Sequence, residues 1–457
     1  MPQPARRQFA ALVGGLLLLS ACGPAAPSGS HMPSVQSSPS TVASPTVGEV
    51  VPAPGSTSTV YGPNPGAIVV AIDPGHGGCL DWGVPDPLGR PQPFSEKTMT
   101  LAIGLELKRI LEEQGVTVVM TREADEALAG DDYPALGCNG PPFRDVNGDG
   151  EAGFDPEGKT RTRDELQARL DLVNLARADI LVSIHINSLT QNGVIFEIAA
   201  TQTYYTDETP WGPDATQRLA QLVQDGVVEA MDPVASYERQ DRGISAVNLF
   251  LVAPPLFVTT PDRPDPVKQP RRGALMPAIL TEVGSITLAA EHDLLLSAEG
   301  QAAVAEGIVS ALETYFADRP MAVRFDALAP GGEAGLVPTA MDGSGPPFWA
   351  PATSQAELAA GIQVRMTNTG TAPWPEGLRM LAGWQASDEP YLRAAPETLN
   401  DLGVAVPPLG PGESTVVLVT SEVPSGGGGL LWISVSDGVT SFSDLGSAPL
   451  QLRTRGT

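Results

Sequence analysis

The stretch Ile68-Val-Val-Ala-Ile-Asp-Pro-Gly-His-Gly-Gly78 decides the fold of this chain and places one reactive side chain. The apolar run from Ile68 to Ile72 predicts a buried β-strand. Asp73-Pro-Gly75 ends the strand in a turn, because proline fixes φ and glycine tolerates positive φ. His76 follows at the carboxyl end of the strand, the edge where open α/β sheets bind ligands. A turn with an incidental histidine is the alternative.

Apolar strands and amphipathic helices alternate from this stretch to about residue 316. This order predicts an α/β domain over residues 66–319, with a mixed, mostly parallel sheet and helices on both faces. The predicted strands are 68–72, 116–120, 179–185, 249–252 and 278–283, with a further apolar run at 194–199. The predicted helices are 97–114, 164–178, 215–231 and 302–316.

Helical periodicity disappears beyond residue 320. Short apolar runs between Gly/Pro turns predict an all-β sandwich over residues 320–457. Four of the six tryptophans fall there, as core residues or as a ligand platform. The stretch 366–377, Met-Thr-Asn-Thr-Gly-Thr-Ala-Pro-Trp-Pro-Glu-Gly, resembles the four-tryptophan (FW-type) immunoglobulin-like domain.

The amino-terminal residues predict export. Arg6-Arg7 precedes the apolar stretch 9–19, a pattern typical of a signal peptide and too short for a durable membrane span. Leu19-Ser-Ala-Cys22 resembles the lipobox of bacterial lipoproteins, which implies that residues 1–22 end in a lipidated Cys22; a plain secretory signal is the alternative. Residues 23–65 are rich in Pro, Ser, Thr, Ala and Gly and predict a disordered linker. We therefore expect an extracytoplasmic protein held to a membrane through its lipid.

The charge balance excludes one class of partner. The net charge is −26, from 53 acidic and 27 basic residues. Such a chain repels polyanions, so we expect no nucleic-acid binding.

Two cysteines remain once Cys22 is set aside. Cys79 follows the glycine loop, and Cys138 lies in an insertion at about 123–163 that interrupts the strand–helix alternation. In an exported protein these two favour a disulfide that pins the insertion beside the loop, with two free thiols as the alternative.

The insertion contains a second candidate site. Asp145-Val-Asn147-Gly-Asp149-Gly150 resembles a calcium loop, with oxygen ligands at alternating positions and glycine at the turn. The carboxylate expected at the twelfth position is replaced by Pro156. Bound Ca²⁺ and a solvated acidic loop both remain open.

Polar residues at strand ends suggest a metal site. The chain has only four histidines, and His76 and His185 each close a buried strand. Two imidazoles at one sheet edge favour zinc, which often adds a carboxylate and leaves one position for water. Glu96 begins a helix on the same side, although charge–dipole complementarity also explains a glutamate there. Glu282 lies within an apolar strand, where an unpaired carboxylate is costly, so it is the candidate general base.

The order DPGHGG, EK, TR, R-x4-N, SIHIN, RG and LTEVG, between Ile68 and Tyr315, resembles the zinc-dependent N-acetylmuramoyl-L-alanine amidases of the amidase_3 family. The resemblance implies that His76, Glu96 and His185 bind Zn²⁺. It also implies that Glu282 is the catalytic carboxylate.

The resemblance further implies a substrate, peptidoglycan, and a reaction. The enzyme would hydrolyse the amide between the lactyl group of N-acetylmuramic acid and L-alanine of the stem peptide. Asn187 is expected to orient the site and Arg242 to contact substrate. The sandwich would bind a protein partner or a glycan. A catalytically inactive cell-wall-binding or regulatory lipoprotein on the same fold, and a zinc peptidase acting on the stem peptide, are the alternatives.

Overall fold

The computed structural model describes residues 61, 65–84, 95–147, 152–153, 163–191, 194–209, 212–253, 273–328, 352–386, 399–422 and 429–454. The predicted signal peptide, Cys22, Asp149 and residues 23–60 of the predicted linker lie outside these residues. None of the helices in the described part has both the length and the apolar character needed to cross a membrane.

A six-stranded sheet forms the centre of the first region. The strands up to residue 285 are β1 (Val69–Pro74), β2 (Thr117–Met120), β3 (Ile180–Asn187), β4 (Thr190–Gln191), β5 (Val194–Ile195), β6 (Ala199–Tyr205), β7 (Arg239–Ala246) and β8 (Ala278–Ser285). The sheet order is β2-β1-β3-β8-β6-β7, and β4 with β5 makes a separate small hairpin. Only β6 and β8 pair antiparallel within the sheet. The predicted mixed, mostly parallel sheet is confirmed.

Helices cover both faces of this sheet. They are α1 (Glu96–Glu113), α2 (Arg163–Leu175), α3 (Pro213–Met231), α4 (Ala289–Leu296) and α5 (Ala298–Ala317). Helix α1 buries Ile103, Leu107 and Leu111, spaced four residues apart, in a core that α3 and α5 share. Helix α2 places Leu170 and Val173 in a second core on the opposite face. The chain alternation therefore positions the carboxyl ends of β1, β3 and β8 side by side.

One predicted strand is wrong, and the further apolar run is strand only in part. Residues 249–252 form turns whose Leu251 and Val252 are buried, so burial rather than strand pairing explains their apolar character. The edge strand is instead β7, which is polar and largely exposed and so has no apolar signal. In the run at 194–199, Val194–Ile195 pairs in the small hairpin, residues 196–198 are not strand, and the sheet strand begins at Ala199.

The region beyond residue 320 is rich in β-structure. Its elements are β9 (Val323–Ala327), β10 (Ala352–Thr353), α6 (Gln355–Ala360), β11 (Ile362–Asn368), β12 (Arg379–Ala386), β13 (Asn400–Ala405), β14 (Ser414–Val419), β15 (Gly429–Ser436) and β16 (Leu450–Thr454). Sheets β10-β16-β15-β12-β13 and β14-β11-β9 enclose one hydrophobic core. Trp374 is buried in that core, and its indole donates to the Ala322 carbonyl at 3.2 Å. The immunoglobulin-like assignment stays a prediction.

This β-rich region packs directly on the first region. Asp179, just before β3, accepts hydrogen bonds from Arg319 and from Thr369 Oγ1, each at 3.0 Å, and all three residues are buried. Trp432 of β15 belongs to the same hydrophobic cluster as Tyr204 of β6 and Leu275. Residues of both regions therefore share a buried interface.

The insertion is fixed to the glycine loop by a covalent bond and by hydrogen bonds. Cys79 and Cys138 form a disulfide, with their Cα atoms 5.7 Å apart. The Cys79 amide donates to Asp131 Oδ2 at 2.6 Å, and the Gly78 amide donates to Asp125 Oδ1 at 2.9 Å. The loop after His76 is thus held by a segment about 50 residues later in the chain.

Removing this disulfide is expected to destabilise the protein. The bond joins positions 59 residues apart, and cross-links of that span contribute about 2–4 kcal/mol, chiefly by restricting the unfolded chain. A Cys79→Ser/Cys138→Ser variant should unfold at lower temperature under oxidising conditions. Reductant should lower the transition of the wild type and leave that of the variant unchanged; equal transitions for both oxidised proteins would contradict the prediction.

Candidate metal centre

Three of the predicted ligands meet at one edge of the sheet. Glu96 Oε1 lies 3.2 Å from His76 Nε2 and 3.2 Å from His185 Nδ1. One donor atom from each residue falls within 4.8 Å of the other two. Residues from the end of β1, the start of α1 and the end of β3 therefore form a single cluster.

Glycines permit this close approach. A Cβ at Gly75 would lie 2.4 Å from His185 Cε1, inside the imidazole ring's contact distance. A Cβ at Gly83 would lie 2.4 Å from Glu96 Oε2 and 2.6 Å from His76 Cδ2. His76 itself has a φ of 63°, a left-handed conformation that is strained for a residue with a side chain. The positions of the His76 and His185 imidazoles therefore depend on a strained backbone at His76 and on the absence of side chains at Gly75 and Gly83.

Backbone amides hold the Glu96 carboxylate. Its Oε1 accepts from the Ile186 amide and its Oε2 from the Val84 amide, both at 2.9 Å. Burial opposes ionisation of Glu96, but His76 and His185 beside it hold its pKa well below the usual range. Glu96 is therefore an ionised carboxylate.

The pKa of His76 is raised above its ordinary value. Burial favours the neutral ring, but the Glu96 and Asp81 carboxylates favour the cation more strongly. A bound metal cation would take the place of the positive charge on His76 beside these carboxylates, because an imidazole that binds a metal must be neutral.

Glu282 lies beside this cluster. It is opposite His185 in the register of β3 with β8, so the two side chains share one face of the sheet. Its Oε2 is buried and has no hydrogen-bond partner in the described part of the chain. Burial, and then the Glu96 carboxylate, raise the pKa of Glu282 to about 8. A carboxylate in this position is costly unless a cation or a reacting proton uses it.

The donor set fits a catalytic zinc ion. Two imidazoles and one carboxylate are ligands that Zn²⁺ prefers, and a set of three leaves a fourth position for water or substrate. His185 Nε2, like Glu282 Oε2, is a buried polar atom without a partner among the described residues. Structural zinc sites use four protein ligands, one more than the three that converge here among the described residues.

A model of the family described as N-acetylmuramoyl-L-alanine amidase (Amidase_3) matches residues 70–314, more than half of the chain. The chain belongs to this amidase family. The matched residues contain the cluster and all of the six-stranded sheet except its first residue, Val69.

Known amidases are similar to this chain over about half of its length. The germination-specific N-acetylmuramoyl-L-alanine amidase of Bacillus subtilis (strain 168) is 24% identical over 252 residues, 55% of this chain and 81% of that protein. The sporulation-specific N-acetylmuramoyl-L-alanine amidase of the same strain is 25% identical over 251 residues, 54% and 68% of the two chains. The crystal structure of an N-acetylmuramoyl-L-alanine amidase from Clostridium difficile 630 matches with 26% identity, 55% and 97% coverage and a TM-score of 0.36.

Two residues that support the cluster, Asp81 and Arg122, are not predicted as site residues from the sequence. Asp81 Oδ1 lies 2.7 Å from His76 Nδ1, so it fixes which ring nitrogen faces Glu96. Arg122 donates to the carbonyls of Pro74, Gly75 and Lys97, which ties the turn before His76 to the start of α1. Arg122 belongs to one of the matched motifs, but its sequence position gives no sign of these contacts.

The remaining predicted site residues are not among the three that converge at the cluster. Asn187 ends β3, where its carbonyl accepts from the Ile286 amide. Arg242 lies exposed on β7. Asn147 is buried, and its amide donates to Asp164 Oδ1 at 3.0 Å. Asp145 is partly buried, and Asp149 lies outside the described residues, so the calcium loop stays a prediction.

Weakening the hydrogen bond between Asp81 and His76 is expected to lower the affinity of the cluster for Zn²⁺. Outer carboxylates that orient a ligating histidine typically contribute 10–100-fold, roughly, to metal affinity. Asp81→Asn should therefore raise the Zn²⁺ dissociation constant by about that factor in a chelator competition assay. Asp293→Asn, at an exposed position on α4, is the matched control and should bind Zn²⁺ as the wild type does. Equal affinities for both variants would exclude this role for Asp81.

Proposed function

We propose that this chain is a zinc-dependent peptidoglycan amidase that cleaves the bond between N-acetylmuramic acid and L-alanine of the stem peptide. The observation that carries the proposal is the convergence of His76, Glu96 and His185 beside Glu282, whose Oε2 has no hydrogen-bond partner among the described residues. Membership of the amidase family supports the choice of substrate.

The residues divide the chemistry between them. His76, Glu96 and His185 would hold Zn²⁺, which when bound supplies a Lewis acid for water and for the amide carbonyl. Glu282 accepts the proton of the attacking water and then delivers it to the departing amine of L-alanine. Burial raises the pKa of Glu282, so its ionised carboxylate is a stronger base toward that water than an exposed glutamate would be.

The proposal also concerns location and partners. A lipidated Cys22 would hold the enzyme at a membrane, facing the cell wall that contains its substrate. The β-rich region would bind a glycan or a protein partner. Two other functions compete with the proposal: a catalytically inactive cell-wall-binding or regulatory protein on the same fold, and a zinc peptidase that acts on the stem peptide.

Mass analysis of digested sacculi tests the proposal. The Zn²⁺-loaded protein should release stem peptides with a free L-alanine amine and leave glycans with a free lactyl carboxylate. Chelation of the metal should abolish release, and added Zn²⁺ should restore it. Shortened stem peptides still attached to the sugar would identify a peptidase. Binding to sacculi without any cleavage would identify the inactive alternative.

A further inference from the structure

Functional side chains form one row across the sheet. His185 of β3 pairs with Glu282 of β8, and Glu282 pairs with Gln202 of β6. Beyond Gln202 the register of β6 with β7 shifts, so that Arg242 and Gly243 both lie opposite this one residue. Such a bulge redirects a side chain, and bulges are common beside active sites.

The row gives the candidate site two different sides. Neighbouring strands are about 4.8 Å apart, so the β7 bulge lies about 10 Å from Glu282, on the side away from His185. The cluster that would bind metal therefore lies on one side of Glu282. On the other side lie polar side chains of β6 and β7, namely Gln202, Tyr204, Arg242 and Ser245, which we call the polar wall. A substrate bound at Glu282 has to extend over that wall in one of its two directions.

Hydrogen bonds order this wall. The Tyr204 hydroxyl donates to Gln202 Oε1 at 3.1 Å, and Gln202 Nε2 donates to Ser245 Oγ at 3.1 Å. Burial and the Glu282 carboxylate raise the pKa of Tyr204, whereas the Arg242 guanidinium opposes that rise. The register puts Arg242 opposite Gln202, and Gln202 pairs with Glu282, so the three residues belong to one row across the sheet.

Arg242 differs from the other basic side chains around the site. Arg239, on the same strand, pairs with Glu291 at 2.8 Å, and Lys97 pairs with Asp125 at 2.7 Å. Arg242 is exposed and forms no ion pair with any residue in the described part of the chain. The protein has a net charge of −26. An exposed guanidinium two strands from Glu282, without an ion pair among the described residues, is therefore available to an anionic ligand.

We propose that Arg242, Gln202 and Tyr204 form a subsite for a carboxylate of the stem peptide, so that the enzyme prefers the free acid to the carboxamide. This inference rests on the proposed function. The glycan side of the bond is built from uncharged sugars, whereas the peptide side carries carboxylates. The glutamate after L-alanine is linked through its side chain, which leaves its α-carboxylate close to the hydrolysed bond. The peptide therefore leaves Glu282 toward β6 and β7.

Two matched substrates test the subsite on the full-length chain. N-acetylmuramoyl-L-alanyl-D-glutamate has the free carboxylate, and N-acetylmuramoyl-L-alanyl-D-isoglutamine has a carboxamide in its place. We expect a kcat/KM that is about 10–100-fold higher for the acid, because a charge-assisted hydrogen bond is lost with the amide. Arg242→Met should remove that difference mainly by raising KM for the acid, and Arg242→Lys should restore part of it.

Controls separate the possible outcomes. Arg109→Met, on the exposed side of α1, should keep the full preference. An equal loss on both substrates in Arg242→Met, or no preference in the wild type, would overturn the subsite. Calorimetric binding of both compounds to the Zn²⁺-loaded Glu282→Ala protein provides a readout independent of turnover. If the acid binds preferentially but the wild type does not hydrolyse it, the subsite is supported and the proposed function is refuted. If the wild type hydrolyses both compounds without preference, the proposed function is supported and the subsite is refuted.

Discussion

Replacing Glu282 by glutamine is expected to lower kcat for peptidoglycan hydrolysis by about 10²–10⁴-fold, the range for loss of a general base. Glutamine has the same shape and stays neutral, so the packing around β8 is preserved. The variant should bind Zn²⁺ as the wild type does, because Glu282 is outside the proposed ligand set. Its unfolding temperature should not fall, since the change removes a buried carboxylate whose Oε2 has no described partner.

The measurement combines release of dye-labelled peptidoglycan with metal content and thermal unfolding. Glu306→Gln, at an exposed position on α5, is the matched control and should retain full activity. A Glu282→Gln protein that keeps its metal and hydrolyses at a near-normal rate would refute the catalytic assignment.

Replacing Arg169 by methionine should strongly destabilise the fold. This buried guanidinium donates to Asp73 Oδ1 at 2.9 Å, Glu165 Oε1 at 2.8 Å, the Pro74 carbonyl at 2.9 Å and the His76 carbonyl at 2.7 Å. Its loss leaves Asp73 charged in the core, and breaking a buried pair in this way costs about 3–5 kcal/mol. Chemical denaturation measures the loss. The double variant Arg169→Met/Asp73→Asn should be more stable than the single one, because it removes the uncompensated charge as well.

The same pair gives stability a pH dependence. Burial raises the pKa of Asp73, but Arg169, Ser183 and Thr121 together lower it from 3.8 to about 2. A depressed carboxyl pKa contributes stability above the unfolded value, and that contribution is lost as pH falls from about 4 to about 2. The difference in unfolding free energy between the wild type and the double variant should therefore narrow over this interval. If the difference in unfolding free energy stays constant over this interval, the Asp73–Arg169 pair is not the origin of the pH dependence.

The sequence allowed the cluster to be predicted because its chemistry is tied to strand ends. His76 and His185 follow apolar runs directly, and Glu282 interrupts one, so each polar residue is conspicuous against its neighbours. Parallel pairing then brings the ends together, as the structure shows for His185 and Glu282. No such contrast marks β7, a polar edge strand, and Arg242 was noticed through a motif alone.

Residues that act through loop contacts could not be predicted. Asp81 reaches His76 only because the glycine loop folds back, and Asp125 and Asp131 meet that loop from a segment without regular strands or long helices. Their partners depend on loop conformation, for which a sequence has no periodic signal. The Cys79–Cys138 bond was predictable to a greater degree, since a chain that is predicted to be exported, with two cysteines left besides Cys22, has one pairing available.

The interface through Asp179 and Trp432 has a consequence for how such proteins diversify. Trp432 belongs to the β-rich region, yet its cluster includes Tyr204, the residue two positions from Gln202 on the same strand. Swapping this region for that of another lineage would remove Thr369, one of the buried donors to Asp179, and would alter the packing behind Tyr204. We expect the two halves to be inherited together, with compensating changes at Leu275 and Trp432, and chimeras between distant relatives to lose peptide selectivity before they lose catalysis.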